Sequence, residues 1–515
     1  MSLASPLRSP RALLAAAVVA CALAAIPLGY LLVRVGSAGV EEVLAVLGRP
    51  RVPVLLGNTA LLAASVTLST VAIGVPSAFV LARARLRARA AWTVLAALPL
   101  AVPSYLAAYG WLAALPWLQG FWAAWFVLTL VAVPYVTLPV AAALRAGTTG
   151  LDDVARTLGR GPLAAFRLGT WPQIRPAVLA GALLVCLYTL SDFGGVALFR
   201  YQVLTTAIQQ AYGASFNRDY AAILATLLVL LAVAVVVGEQ VARGRAARQF
   251  GAVTGPVRQR RVRLGRWTVP ALALLLVAPA LAVAVPVTVL VVRLFEAQTL
   301  RTFDAAELGS AVANTVLLSA GGALVAVLLA LPIGILAARY RGRVVRAVET
   351  TGYLALGLPG IVVGLSLVFF SLAVVPVFYQ TAFVLAFAYG VLFMPKAIGG
   401  IRSATAQVPT SLENVSRTLG NGRARTWWFV TARLARPGIA AAALLVTVTA
   451  MKELPATLLL RPTGTDTLAT ELWSRTDVSA YGAAAPYAVA LLVVAAVPAF
   501  LLSRARTGEF DEVAP

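Results

Sequence analysis

The chain has 515 residues, of which 61% are hydrophobic and 12% are charged, and its mean hydropathy is +0.89. These values exclude an ordinary soluble globule and predict an all-α polytopic membrane protein. The net charge of +23 does not indicate nucleic acid as a partner, because the arginines lie in short loops between apolar segments. There is no histidine, and both cysteines lie inside apolar runs, so we predict no metal site and no catalytic residues.

Twelve apolar segments come close to or exceed the roughly 20 residues that a helix needs to cross a bilayer. The first six are 12–33, 54–80, 91–113, 120–144, 177–199 and 220–242. The second six are 268–292, 309–338, 348–372, 379–400, 438–460 and 481–502. Since each set holds an even number of spans, both enter the membrane in the same sense. We therefore expect two parallel six-helix repeats related by a pseudo-two-fold axis along the membrane normal.

Basic residues orient the chain. Thirty-two lysines and arginines lie in loops on one side, nine lie on the other, and Lys452 lies within a span. Because short basic loops stay in the cytoplasm, both termini are predicted to be cytoplasmic. Residues 243–266 carry eight arginines and no acid, which predicts a cytoplasmic linker facing lipid headgroups. This linker would join a first half, 1–242, to a second half, 267–515.

Each half contains a copy of one polar stretch. Residues 151–176 and 412–437 are identical at ten of 26 positions at a constant offset of 261, and upstream matches such as Pro76 and Pro332 occur at offset 256. The two predicted cytoplasmic loops are 148–176 and 405–437. A duplicated polar loop between apolar spans predicts a surface presented twice to a partner.

Apolar residues at helical spacing predict a short amphipathic helix in each loop, with acid-base pairs at i, i+4 on the opposite face. Gly159 and Gly420 are predicted to end these helices in the left-handed conformation, and Thr410 with Glu413 to form a capping box. Helices this short are not stable by themselves, so each must be held by the segments that flank it or by a partner. The candidate partner-binding residues are Asp152, Asp153, Val154, Ala155, Arg156, Leu158 and Gly159, and then Glu413, Asn414, Val415, Ser416, Arg417, Leu419 and Gly420.

No phosphate-binding loop of the G-x-x-x-x-G-K-[ST] type can occur, because the only lysines, Lys396 and Lys452, follow Pro395 and Met451. We therefore expect no enzymatic activity and no cofactor on this chain. Two matching cytoplasmic loops related by a two-fold axis are what a separate, two-fold symmetric subunit that supplies the energy for transport would need to bind.

The loops resemble the EAA loop of ABC importer permeases, in which Glu-Ala-Ala is followed after three residues by Gly and thirteen positions later by Pro. The first copy has 153-DVA-155, Gly159 and Pro172, and the second has 414-NVS-416, Gly420 and Arg433. The resemblance implies a type I ABC importer permease fold in a bacterial plasma (inner) membrane. It also implies a cytoplasmic ABC ATPase dimer as partner, which binds ATP and Mg, and no need for a homodimer, since both halves are fused.

Other motifs are similar to the fused permeases of the ferric-iron importer family. They are 191-SDFG-194, 452-KELPATLLLRP-462 and 466-DTLAT-470. This resemblance covers both halves and implies Fe³⁺ as cargo, delivered by an extracytoplasmic substrate-binding protein. Polyamine, thiamine and phosphonate permeases share much of the pattern and stay open as alternatives.

Three ionisable residues are candidates for the transport pathway or its gate. Asp192 and Glu453 coincide at offset 261 late in the fifth and eleventh spans, and Lys452 adjoins Glu453. An ionisable group inside a span is costly, which favours a functional role. Pairing of Glu453 with Lys452, or capping of helix ends near the outer surface, is the structural alternative.

Two other classes of function fit the sequence less well. An ion-coupled secondary transporter would need a carboxylate relay, and it leaves the paired loops unexplained. A lipid-modifying enzyme lacks support because the chain has no histidine and no nucleophile motif.

Overall fold

A computed structural model describes residues 11–146, 150–213, 217–247, 264–296, 299 and 303–511. Within these residues the regular structure is helical, with no β-strand, which confirms the all-α prediction. Ten described helices are long and apolar enough to cross a membrane. The pair 89–101 and 104–114, bent by 85°, raises this number to eleven if it is counted as one broken span. The apolar helix Gly360–Val374 stands at offset 256 from Ser104–Ala114 but is shorter than these spans, so the described residues give ten to eleven candidate spans and the count of twelve stays a prediction.

The helices of the first half begin with α1, which is interrupted at Gly39. Their bounds are α1 Arg11–Leu47, α2 Arg51–Arg83, α3 Arg89–Ala97, α4 Ser104–Ala114, α5 Gly120–Ala146, α6 Gly150–Thr157, α7 Pro162–Ala165, α8 Trp171–Ser191, α9 Gly194–Leu198, α10 Leu204–Gly213 and α11 Arg218–Ala247.

The second half repeats this order. Its helices are α12 Thr268–Pro279, α13 Val285–Leu294, α14 Ala305–Arg339, α15 Arg343–Tyr353, α16 Gly360–Val374, α17 Ala382–Gln407, α18 Thr410–Thr418, α19 Arg423–Thr426, α20 Ala432–Ala450, α21 Pro455–Leu460, α22 Leu468–Asp477 and α23 Tyr481–Asp511. Matching π-helical turns, Phe166–Thr170 and Trp427–Thr431, precede α8 and α20.

One compact unit comprises Val40–Arg301 and Arg475–Ala485. Helices α2, α5 and α8 pack against one another at its centre, with α12 and α13 against α2, α3 and α4. A Cβ atom on Gly110 of α4 would lie 2.5 Å from the backbone of Pro286 on α13, so glycine is required there. This unit therefore includes the first membrane helix of the second half.

The other unit comprises Met1–Gly39, Thr302–Ser474 and Pro486–Pro515. Helices α14, α17 and α20 form its centre. The first part of α1 packs here, with Cys21 Sγ 3.4 Å from the carbonyl oxygen of Val348 and the rings of Tyr30 and Phe370 at 5.6 Å. Each compact unit thus contains the first helix of the other sequence half. The first part of α1 lies in the unit formed mainly by the second half, and α12 and α13 lie in the unit formed mainly by the first half. The predicted boundaries 1–242 and 267–515 describe the duplication of the sequence and stay a prediction, and linker residues 248–263 lie outside the described residues.

The predicted starts of the fifth and eleventh spans were wrong. The helices run continuously over Leu163–Ser191 and Arg423–Ala450 instead of 177–199 and 438–460. Prolines and arginines in the first half of each helix favour a loop on sequence grounds. In the structure Pro172, Pro176 and Pro437 follow the π-helical turns, where the regular α-helical hydrogen-bond pattern is already interrupted. Because both helices also end early, Asp192 and Glu453 lie just beyond the helix ends.

Candidate functional site

The first repeated loop forms the short helix α6, whose outer face is apolar. Val154 is 55% exposed and Leu158 is 75% exposed, whereas Ala155 is buried. Gly159 follows with φ of +74°, which confirms the left-handed stop. Arg156 is exposed beside Val154. The side chain of Asp153 lies outside the described residues.

The second loop forms α18 with the same two faces. Leu412, Val415 and Leu419 are 45%, 56% and 77% exposed, and Gly420 has φ of +84°. Asn414 is exposed as well. We call the exposed side chains of Val154 and Leu158, and those of Leu412, Val415 and Leu419, the two apolar ridges. Apolar side chains this exposed beside a basic loop are typical of a protein-docking surface.

The inner faces of both helices are tied to the helix that follows. The Asp152 carboxylate accepts a hydrogen bond of 2.5 Å from the Thr170 hydroxyl, and the Glu413 carboxylate accepts one of 2.8 Å from the Thr431 hydroxyl. Both threonines end the π-helical turns that lead into the long helices. The equivalence of Thr170 and Thr431 was visible in the sequence, but their role as partners of the acids was missed.

Glu413 makes two further ion pairs. Arg339, the last residue of α14, lies 2.7 Å from Glu413 Oε1, and Arg417 lies 3.8 Å from Oε2. Arg339 also donates a hydrogen bond of 2.9 Å to the carbonyl of Val408. The predicted capping box of Thr410 with Glu413 is wrong, since the helix is capped at Pro409 without a side-chain hydrogen bond and Glu413 is committed to Arg339.

Ser416 completes the inner face of α18. Its hydroxyl is buried and lies 3.1 Å from that of Thr426 on α19. The predicted partner-binding residues therefore divide into two sets. Val154, Arg156, Leu158, Asn414, Val415 and Leu419 are exposed, whereas Asp152, Ala155, Glu413 and Ser416 hold the helices in place.

Asp192 and Glu453 each sit at the start of a short helix. Asp192 Oδ1 accepts a hydrogen bond of 3.2 Å from the Val196 amide, and its other oxygen accepts one from the Ser104 hydroxyl. Glu453 Oε1 accepts a hydrogen bond of 3.2 Å from the Ala456 amide. Both carboxylates therefore serve α9 and α21 as N-terminal acceptors, which is the geometry that stabilises negative charge at a helix start.

One difference between the surroundings of the two acids is a compensated exchange of side-chain size. Gly360 stands at offset 256 from Ser104, and a Cβ atom on Gly360 would collide with Glu453 Oε1. The shorter acid is thus matched with serine and the longer acid with glycine. This arrangement serves packing, and the role of both acids in a transport pathway stays a prediction.

A lysine that the sequence analysis did not assign accompanies Lys452 and Glu453. Lys396 on α17 lies 3.3 Å from the Thr449 hydroxyl and 5.2 Å from the centre of the Phe393 ring, and it interacts electrostatically with Lys452 and Glu453. Both lysines of the chain therefore lie in one place, among 42 basic residues that are otherwise all arginine. The rarity of lysine was the feature of the sequence that could have identified Lys396 as a neighbour of Lys452 and Glu453. Within the described residues no group of three or more His, Cys, Asp or Glu side chains could hold a metal ion.

Comparison with known proteins supplies independent evidence. A family model described as "Binding-protein-dependent transport system inner membrane component" matches residues 71–243 and 330–506. The Fe(3+)-transport system permease protein FbpB 2 of Haemophilus influenzae is 34% identical over 484 residues, 93% of this chain and 95% of that protein. The molybdenum transport system permease protein ModB of Mycobacterium tuberculosis is 31% identical over 195 residues, 34% of this chain and 74% of that protein. Each segment that matches the family contains one repeated loop.

Proposed function

The chain belongs to the family of binding-protein-dependent transport system inner membrane components, and from that premise we propose that it is the permease subunit of an ATP-driven importer. The two apolar ridges carry this proposal. Each is exposed, each ends at a glycine with positive φ, and each is fixed from behind by a carboxylate bonded to threonine. Together they would bind a cytoplasmic ABC ATPase dimer.

ATP and Mg would be bound by that ATPase, and hydrolysis would take place there. This chain would contribute the membrane path and the two docking helices, α6 and α18. A homodimer of the chain is not required, because one polypeptide carries both family segments. The docking helices and both termini would lie in the cytoplasm, on the side that carries most of the arginines.

The inner-face contacts suggest how force would pass from the ATPase to the membrane helices. Glu413 on α18 contacts Arg339 at the end of α14 and Thr431 at the start of the helix that continues into α20. A displacement of α18 would therefore act on two membrane helices at once. Asp152 and Thr170 provide the corresponding connection from α6 to α8.

We propose ferric iron as the cargo, delivered by an extracytoplasmic substrate-binding protein. FbpB 2, named as an Fe(3+)-transport permease, is similar over nearly the whole chain, whereas ModB is similar over about one third. Closure of the ATPase on ATP would open the path outward to the docked binding protein, and hydrolysis would return it inward. Uptake of radioactive iron by cells with and without the gene, in competition with polyamine, thiamine and molybdate, tests the cargo.

Replacing the most exposed leucine of each ridge tests the docking surface. Burying a leucine side chain contributes about 1.5 to 3 kcal/mol, so Leu158→Asp with Leu419→Asp should weaken ATPase binding by at least tenfold. The measurement is co-purification of the ATPase with the full-length permease.

The matched control places acids at two exposed apolar positions elsewhere. Trp117 is 74% exposed before α5, and Val377 is 87% exposed before α17. Both lie in loops that the charge distribution assigns to the outer side. Trp117→Asp with Val377→Asp should leave ATPase co-purification unchanged. Normal co-purification with the ridge variant would refute the docking surface.

A further inference from the structure

A groove of about 770 Å³ lies behind the second docking helix, within the unit that contains α1, α14 and α18. Its walls are the first three turns of α1, the last three turns of α14 and the segment from α18 to the π-helical turn. Cavities that bind small molecules measure roughly 300 to 1,000 Å³. The groove therefore has the size of a ligand site, and none of the predicted transport residues except Glu413 and Arg417 line it.

The groove is lined by apolar residues along its length, and that length matches half the thickness of the hydrocarbon core of a bilayer. Along α1 it extends from Ala12 to Leu23, and along the antiparallel α14 from Arg339 back to Leu328. At 1.5 Å per residue each wall is about 16 Å long. The hydrocarbon core of a bilayer is about 30 Å thick, so the groove spans about one leaflet.

One end of the groove is strongly basic. Arg339, Arg417 and Arg423 face a single acid, Glu413, at this end. The arginines lie at the end that the charge distribution assigns to the cytoplasm. Three guanidinium groups facing one carboxylate leave an excess of positive charge, and guanidinium groups are suited to bind phosphate oxygens.

Two tryptophans line the groove about one helical turn beyond Arg423. They are Trp427 and Trp428, and Trp428 is 70% exposed. Tryptophan is enriched where headgroups meet acyl chains, because one side of the ring is apolar and the N–H is polar. The groove therefore offers an apolar wall for an acyl chain, tryptophans for the interface and arginines for a phosphate.

We propose that this groove binds an anionic glycerophospholipid of the cytoplasmic leaflet, with one acyl chain between α1 and α14 and its phosphate at the three arginines. The first half shares two of the three arginines, since Arg83 and Arg156 stand at the positions of Arg339 and Arg417, but it differs at the other positions. Phe79 stands at offset 256 from Ile335, and its ring lies 6.5 Å from that of Phe166, which stands where the second half has Trp427. Pro162 stands at the position of Arg423. The lipid site is therefore placed in the second half.

A lipid in this groove would support α18 from behind. Its phosphate would share Arg339 and Arg417 with Glu413, which anchors the second docking helix. Anionic lipid would therefore strengthen ATPase docking at α18 more than at α6. This consequence rests on the proposed function, whereas lipid binding itself does not.

Lipid binding is measured on the full chain purified without the ATPase. The probe is phosphatidylglycerol with a photoactivatable acyl chain, compared with the same chain on phosphatidylcholine, and cross-links are mapped by mass spectrometry. We expect cross-links on α1 and α14 with a preference for phosphatidylglycerol. Each basic residue near anionic lipid contributes about fivefold in affinity, so Arg423→Gln should lower phosphatidylglycerol binding by about fivefold.

Two neighbours provide matched controls. Arg425 lies on the same helix, α19, but its guanidinium is 5.8 Å from the centre of the Phe429 ring and outside the groove, so Arg425→Gln should change nothing. Ala16 lines the groove and Ala15 does not, although both are exposed. Ala16→Trp should abolish the cross-links on α14, and Ala15→Trp should leave them unchanged.

Three results would overturn the proposal. The first is cross-linking spread evenly over all lipid-facing helices, or equal effects of each variant and its control. The second is occupation of the groove by residues 1–10 of this chain, shown by a cross-link from that segment to Trp427. The third is that the groove residues are shielded from cross-linking only when the ATPase is bound, which would mean that the ATPase and not a lipid covers the groove. Failure of the unmodified chain to bind the ATPase, with intact lipid binding, would refute the proposed function alone.

Discussion

In the first docking helix the half-buried Asp152 is bonded through its carboxylate to the hydroxyl of Thr170, whereas in the second the longer, buried Glu413 is bonded to Thr431 and to the guanidinium of Arg339. The ridges in front of these acids are alike in exposure and end at equivalent glycines. The duplicated sequence therefore preserves the outer surface, while the described contacts of the two acids differ. An outer surface that binds the proposed ATPase dimer would be constrained in both copies, whereas the inner contacts need only to be rigid.

The largest difference between the two copies should follow removal of each acid. The Arg339 side chain is 12% exposed and that of Glu413 is 11% exposed. Breaking a buried ion pair leaves an uncompensated charge and costs about 3 to 5 kcal/mol, whereas losing one hydrogen bond costs about 1 kcal/mol. Glu413→Gln should therefore lower the thermal unfolding temperature of the purified permease much more than Asp152→Asn. Equal shifts would show that the attachments are energetically alike.

The acids beyond the fifth and eleventh spans offer a second comparison. Gly360→Ser should crowd Glu453 and cost about 1 to 3 kcal/mol, because a Cβ atom there collides with the carboxylate. Adding Glu453→Asp recreates the pairing of Ser104 with Asp192 and should restore most of the loss. A double-mutant cycle on thermal stability and iron uptake measures this coupling. If the two effects simply add, the acids do not depend on the residue at position 360 or 104.

Periodicity and composition were sufficient to predict the helical architecture, the duplication and the two short amphipathic helices α6 and α18. Gly159 and Gly420 were identifiable because a glycine after a short amphipathic stripe has one common structural explanation, a left-handed C-terminal stop. The starts of α8 and α20 were not identifiable in the same way. Their first turns contain prolines and arginines, and whether such a segment is loop or helix depends on the packing that surrounds it.

The partners of the acids could not be predicted, because they are separated along the chain. Arg339 lies 74 residues before Glu413, and Thr431 lies 18 residues after it. Local spacing instead favoured the capping box at Thr410, which the structure replaces with the ion pair to Arg339. Where a side chain has both a local and a distant partner, burial decides between them, and burial is a property of the packed helices.

The glycine stops should behave alike in the two copies, in contrast to the acids. No atom lies within 4 Å of a Cβ added to Gly159 or Gly420, so alanine there meets no steric clash and its cost is that of positive φ alone. That cost is about 1 to 2 kcal/mol. Gly159→Ala and Gly420→Ala should each weaken ATPase binding by at least about fivefold in a titration, and the double proline variant should abolish it. Gly161→Ala provides the control, because Gly161 is not among the glycines with positive φ.

The smallest effect is expected from the threonines that hold the acids. Thr170→Val and Thr431→Val preserve side-chain shape and remove one hydrogen bond each, which contributes about 0.5 to 1.5 kcal/mol. Because Glu413 retains Arg339 when the hydroxyl of Thr431 is lost, the loss of stability should be smaller for Thr431→Val than for Thr170→Val. This order is the reverse of that expected for the acids. Thermal unfolding of the two valine variants, with Thr418→Val as an exposed control, distinguishes them, and a larger loss at Thr431 would mean that the hydroxyl, and not the guanidinium, fixes Glu413.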